Sequence, residues 1–215
     1  MAYNFAEGSR FYFSNTLAAA KTVTAATNAD PTVLTATSHG YTDGDIVLFD
    51  SGWEDAKDSL WKVDSLTADT FSAVGLTTTD TNFFPAGSGT GTTQKISNWT
   101  EIPQVLSVST SGGDARFTNV DLLAKRNSLS VPTGFNAASM TLTLAHDPAN
   151  ANYQAMLVIA RSLSKVGIKI VLGGGSVAYG YGYLSVSEMP NISRNQVNQV
   201  SAAFSIIGRL VSYAS

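Results

Sequence analysis

At 215 residues the chain can hold one large domain or two small ones, with enough length to bury a real core. Charged residues are 13% of it, well under the usual quarter, and there is no cysteine, which excludes disulfides, thiolate metal sites and cysteine nucleophiles. The net charge of −3 is unevenly placed: Asn28–Ile96 carries ten acidic and three basic residues (−7), and the remainder six acidic and ten basic (+4), a shift that predicts two units.

The start, Met1 to Glu7, lacks the basic and apolar regions of a signal peptide, and no apolar run approaches the roughly 18 residues of a membrane span. The expectation is a protein made in a cytoplasm, with no membrane partner. Arg10-Phe-Tyr-Phe13 has strand character within a first segment reaching about Lys21. Then Pro31–Thr37, Ile46–Phe49, Leu60–Val63 and Thr70–Val74 read as short strands of a small barrel, with a turn-rich Ser38–Asp45 among them. A Gly/Ser/Thr stretch, Pro85–Thr93, reads as a flexible exit. These boundaries predict a small β-domain over 22–96, inserted into a core made of 1–21 and 97–215.

The core resumes with a strand at Val105–Val108 and a polar turn cluster at Thr110–Arg116. Phe117–Arg126 has no clean period and reads as an extended loop or arm, ahead of a strand near Leu129–Val131. Met140–His146 is strand-like. A helix is predicted to follow, with Asp147 as N-cap, Pro148 at its first position, a reach to about Lys165 and a stop at Gly167. Tyr153, Met156, Leu157, Ala160 and Leu163 fall on one face of it, the face expected to cover a sheet.

Ile168–Leu172, a Gly173–Gly175 turn and Val177–Tyr183 read as a hairpin. In its second strand, large Val177, Tyr179, Tyr181 and Tyr183 alternate with small Ala178, Gly180 and Gly182. The bare face either admits another backbone or subunit, or belongs to a core strand with glycine kinks. Gln196–Tyr213 is strand-like for most of its length, which is long for one globular domain and suits a sheet continuing across subunits. The fold class expected is mainly β with one flanking helix: a sandwich or barrel core plus the inserted β-domain.

Reaction chemistry is hard to assemble from these residues. His39 and His146 lack ligand spacing, and the acidic group Asp43, Asp45, Asp50, Glu54, Asp55 and Asp58 misses the EF-hand pattern. No nucleotide loop accompanies Gly173–Gly175, and there is no nucleophile elbow. The expectation is a non-enzyme without cofactor or metal.

Ser139–Pro148, the helix through Lys165, Ser185–Pro190 and Gln196–Phe204 together resemble the major tail tube proteins of long, non-contractile bacteriophage tails. His39-Gly-Tyr-Thr-Asp-Gly-Asp45 with Ile46-Val47 resembles a small β-domain of several phage tail proteins. Some relatives carry an extra domain at the C-terminus, whereas here it sits near the N-terminus, and its implied place is the tube exterior.

The resemblance implies a structural virion protein. Six copies would form a ring, their sheets would join around a lumen, and rings would stack into a conduit for DNA ejection. The implied partners are copies of itself, the tape-measure protein, tail terminator and distal tail proteins, and phage DNA passing without specific binding. Candidate inter-ring contacts are Tyr3, Phe5, Arg10, Asp114, Arg116, Lys125 and Arg126. The family's channel is usually acidic, so Glu101, Asp114, Asp121 and Glu188 are candidate lumen charges, although the core's +4 does not by itself favour that picture. Two other readings stand beside this one: a carbohydrate-binding or adhesive protein using Trp53 and Trp61, and a terminator-like single ring. Burial of both tryptophans is the commoner outcome for that residue type.

Overall fold

The computed structural model describes residues 7–214. Strand β1 (Arg10–Ser14) opens the larger sheet. The chain then leaves it to build a seven-stranded sheet from β2 (Lys21–Val23), β3 (Ala25–Ala26), β4 (Thr32–Thr35), β5 (Ile46–Ser51), β6 (Ser59–Ser65), β7 (Thr70–Val74) and β8 (Gly91–Lys95). Their order is β2-β8-β5-β6-β7-β4-β3. Alternation in these strands sends Val47, Phe49, Trp61, Val63 and Phe71 into one core. The predicted flexible exit is instead packed. The Pro85 carbonyl accepts the Trp53 indole N–H at 2.8 Å, a side chain on Gly89 would collide with that indole, and Gly91–Lys95 is β8.

The larger sheet continues with β9 (Thr100–Glu101) and β10 (Val105–Ser111). A separate two-stranded hairpin follows, β11 (Ala115–Val120) and β12 (Leu129–Phe135), before β13 (Ser139–Ala145) re-enters the sheet. Of the predicted loop or arm Phe117–Arg126, Phe117–Val120 is therefore strand, while Asp121–Arg126 belongs to the loop that joins β11 to β12. Sequence periodicity failed there because both faces of the hairpin meet solvent, so no alternation between buried and exposed residues is imposed.

Helix α1 spans Ala151–Ser162, shorter than predicted at both ends. Asn150 is the N-cap, its side-chain oxygen accepting from the Asn152 and Tyr153 amides at 2.9 and 3.3 Å. Asp147 instead accepts the Ala149 amide in a turn ahead of the helix. Leu163, in the left-handed region at φ 52°, ends it before Gly167. Tyr153, Met156 and Leu157 are buried as expected, and Ala160 packs at the margin. Leu163, however, is 73% exposed, because the cap turns it off the predicted face, and Ile159 takes a core position.

Antiparallel strands β14 (Lys165–Val171), β15 (Val177–Val186) and β16 (Gln199–Ile206) complete the sheet, whose order is β10-β13-β16-β15-β14-β1-β9. The long final run does not continue unbroken. It kinks at Ile207–Leu210 and resumes as β17 (Val211–Tyr213), which pairs with β15 beyond the kink.

The sheet curls around its core: Phe11 and Phe13 of β1, Leu142 and Leu144 of β13, Phe204 of β16 and the helix share one cluster. A groove of about 580 Å³ is lined by Phe11 and Ile170 on one side and Leu106 and Val108 on the other, so the two ends of the sheet approach without pairing. The architecture is a near-barrel, mainly β, with one helix, as the sequence predicted.

The small face of β15 is filled from within. A side chain at Gly182 would collide with the Ser205 carbonyl of β16, and one at Gly180 would press on Leu210 and Ile206. On the bulky face, Tyr181 joins Ile46, Leu48, Leu60 and Ile96, so the seven-stranded sheet docks on that side of β15. Three polar links reinforce the seam: Lys165 Nζ to Asp58 Oδ1 at 3.1 Å, the Arg209 amide to Ser59 Oγ at 2.9 Å, and the Tyr213 hydroxyl, which accepts the Lys62 amide at 2.9 Å and donates to the Val74 carbonyl at 2.8 Å.

Candidate assembly surfaces

Three surfaces stand out, and none is a reaction centre. The first is the β11–β12 hairpin. None of its residues belongs to a core cluster, yet Phe117, Leu122, Leu123, Val131 and Phe135 are exposed on it, with Phe135 at 77%. Apolar exposure on this scale marks an interaction surface. Asp114 sits at its base, the Asp114 carbonyl accepting the Asn136 amide at 3.0 Å. Arg116 lies on β11, and Asp121, Lys125 and Arg126 occupy the exposed tip. The structure thus brings Asp114, Arg116, Asp121, Lys125 and Arg126 onto one projection. Arg10, exposed at the start of β1, pairs with Val171 and lies apart from them. Tyr3 and Phe5 lie outside the described residues.

The second surface is the outer edge of β10, which pairs with β13 on one side only. Its unpaired backbone donors and acceptors form a template for another strand. Leu106 and Val108 are half exposed along it.

The third is the outward face of β10, β13, β16 and the far half of β15. Directly opposed residues in antiparallel strands share a face. One cross-strand row is Ser107–Thr143–Ser201; the next is Ser109–Thr141–Ala203–Ser185; another is Ser111–Ser139–Ser205–Tyr183. The opposite faces of these strands bury Met140, Leu142, Leu144, Val200, Ala202 and Phe204. The hydroxyl rows could have been read from sequence, since Ser-x-Ser-x-Ser at 107–111 and Ser-x-Thr-x-Thr at 139–143 share one phase.

The remaining candidate charges are dispersed. Glu101 is on β9, at the opposite end of the sheet from β10, and its carbonyl accepts the Asn152 side chain at 3.1 Å. Glu188 is bound two-fold by Arg161 at 2.6 and 3.0 Å, a hydrogen-bonded pair that holds its carboxyl below the usual range. Glu101 and Glu188 thus lie on neither the hairpin nor the hydroxyl rows.

The acidic group of the small sheet is likewise spread over separate partners. Asp45 pairs with Lys95 at 2.7 Å and Asp58 with Lys165. His39 is buried and spent on backbone. Its Nδ1 accepts the Tyr41 amide at 2.9 Å, leaving Nε2–H to donate to the Thr67 carbonyl. His146 faces the Tyr153 hydroxyl at 3.2 Å. Trp53 and Trp61 are each 1% exposed, so neither offers a face on which a sugar could stack.

Among solved structures, the tail of an empty GTA particle, computed with helical refinement and C6 symmetry, is similar at 16% identity and a TM-score of 0.43. The match covers 54% of this chain and 87% of that one. The SPP1 tail tube is similar at 12% identity and a TM-score of 0.42, covering 55% of this chain and 70% of that one. No curated protein matches. The family model described as phage tail tube protein matches residues 51–215, which takes in β6 to β17 and all three surfaces. The chain belongs to the phage tail tube protein family, as a non-enzymatic structural component of the virion tail.

Proposed function

We propose that six copies close into a ring through their sheet edges and that rings stack through the hairpin, forming the conduit for DNA ejection. The observation that carries this reading is the pairing of an open β10 edge with an apolar hairpin that no core contact employs. Edge closure removes unpaired backbone groups, and stacking covers Phe117, Leu123 and Phe135. The number six comes from the family resemblance. Arg10, Asp114, Arg116, Lys125 and Arg126 are proposed ring-to-ring contacts, with Tyr3 and Phe5 ahead of them in the chain.

The seven-stranded insert, residues 22–96, forms its own domain and decorates the exterior, carrying a net charge of −7. The lumen first holds the tape-measure protein and then passes DNA; terminator and distal tail proteins cap the two ends. Synthesis takes place in the host bacterial cytoplasm.

Negative-stain electron microscopy of the purified chain at rising concentration tests the reading. Long hollow tubes of uniform width are the expected result. Rings that never stack would replace it with a terminator role, and monomers at every concentration would remove self-polymerisation.

A further inference from the structure

A pocket of about 950 Å³ opens where the insert meets the root of the hairpin. The insert lines it with the turn at Glu54 and Asp55, and the core with Phe135, Ile207 and Leu210. All five side chains are exposed. Among the described residues neither carboxylate has an ion-pair partner. Lys57, also at the pocket, is paired with Asp50 at 4.0 Å, which leaves Arg209 as the pocket's remaining cation.

The hairpin beside this pocket is fixed at its root. The Gly113 amide donates to the Asn136 carbonyl at 3.1 Å and the Asn136 amide to the Asp114 carbonyl at 3.0 Å, carrying the β10–β13 ladder on into β11–β12. A side chain on Gly112 would collide with the Ala137 carbonyl, so the two chains cross closely there. From Asp114 to Leu122 the mostly extended chain spans about 25 Å. The tip thus stands well clear of its own pocket. It presents Leu122 and Leu123, both exposed, in a turn closed by the Lys125 amide on the Leu122 carbonyl at 2.9 Å. Asp121, Lys125 and Arg126 surround them, all exposed.

We infer that the insert is a working part of stacking: its pocket with the core is a socket for the hairpin tip of a second copy in the neighbouring ring. The inference rests on the tube reading above. Leu122 and Leu123 supply the apolar contact that Phe135, Ile207 and Leu210 lack, and seating removes both exposed sets from water. Lys125 and Arg126 meet Glu54 and Asp55, while Asp121 meets Arg209, so each sign on the tip finds its opposite in the socket. Tip and socket are different patches of one chain, so the contact is head-to-tail. Every copy that seats a tip offers a tip of its own, and the series continues without closing. The insert's share is the pair of carboxylates, which set the direction in which the tip enters.

The lack of cysteine allows the contact to be trapped. In tubes of the double variant Leu123→Cys with Ile207→Cys, a short bis-maleimide is expected to give a ladder of covalent dimers, trimers and longer chains on a denaturing gel. Neither single variant is expected to give one. Tubes of the double variant without a ladder, or dimers from Leu123→Cys alone, would overturn the socket and leave the tube reading standing. Failure of the parent chain to form tubes would instead overturn that reading and this inference with it.

The insert's part has its own readout. Lys125→Glu with Arg126→Glu is expected to lose tubes at concentrations where the parent forms them. Adding Glu54→Lys with Asp55→Lys to the same chain is expected to restore them. Tubes undiminished by the first pair, or not restored by the second, would overturn the pairing of tip and insert.

Discussion

Two buried tryptophans of the insert are matched in burial and opposed in polar satisfaction. The Trp53 indole N–H donates to the Pro85 carbonyl at 2.8 Å, while the Trp61 Nε1 has no partner among the described residues. Phenylalanine at 53 orphans an acceptor and loses a hydrogen bond worth about 1 kcal/mol, beyond the volume removed. Phenylalanine at 61 removes an unsatisfied donor, so part of its packing loss is returned. Urea denaturation is expected to rank Trp53→Phe as the more destabilising, and the reverse order would refute this account of the two sites.

The Asp45–Lys95 pair sets an acid limb. Burial alone would raise the Asp45 carboxyl, but the hydrogen bonds from Lys95 and the Thr42 amide outweigh it and hold the group below its usual range. A depressed carboxyl adds stability above the ordinary carboxylate range, and that stability is lost as pH falls through the lowered value. Asp45→Asn should therefore lower stability at neutral pH and flatten its decline in acid, read by thermal melts across pH.

The hairpin is an appendage of the fold and, on the tube reading, a requirement of the polymer. Replacing 114–135 with a short turn is expected to leave a soluble, folded monomer with a melting temperature near the parent's, because no core cluster draws on those residues. Sedimentation should then show no tubes. Tubes of normal length from that variant would remove the hairpin from stacking.

At this scale the sequence was unevenly legible. Strands with one buried face, such as β13 with Met140, Leu142 and Leu144, declared themselves through alternation. The helix core face did so through its spacing. Its ends did not, because Asp147-Pro148 carries stronger capping signals than Asn150, which the chain uses. Of the hairpin, the strand read near Leu129–Val131 lies within β12, whereas β11 was missed because two solvated faces impose no pattern. The break at Ile207–Leu210 was hidden because β17 continues along β15 after the kink. Gly208 was the available sign: a side chain there would collide with the Asp58 carbonyl of the insert.

For the molecule as a whole, the seam between insert and core decides whether they move as one. Burial pushes the Tyr181 hydroxyl up to about 12, with the charge of Asp58 adding to it, and burial also raises Tyr179 and Tyr213. A raised tyrosine leaves stability intact below its ordinary value of about 10 and removes it as pH climbs from there through the raised one. Alkaline titration is expected to release the insert from the core in that window, seen as delayed tyrosinate absorbance and faster amide exchange at the seam. Tyr181→Phe should soften this loss, and an unchanged alkaline limb in that variant would show that the seam does not control it. The opposing charges of insert and core were plain in the sequence; the docking of one on the other was not, since the alternation in Val177–Tyr183 raised only the question of what approaches its bare face and named nothing to cover Tyr179 and Tyr181.

The bridge between Leu17 and Ile96, with Lys21 beside Thr93, has a consequence for how the chain finds its fold. Strand β1 must pair with β14, placing Phe13 against Ile168 across most of the sequence. The entropic cost of such a closure grows with the free length of chain between its ends, and long-range pairing of this kind slows folding. Once the insert has formed from its shorter-range strands, its entry and exit are held together and β1 is delivered beside β9, as the contact of Phe13 with Thr100 records. The insert thus shortens, in effect, the search that the rest of the protein must make.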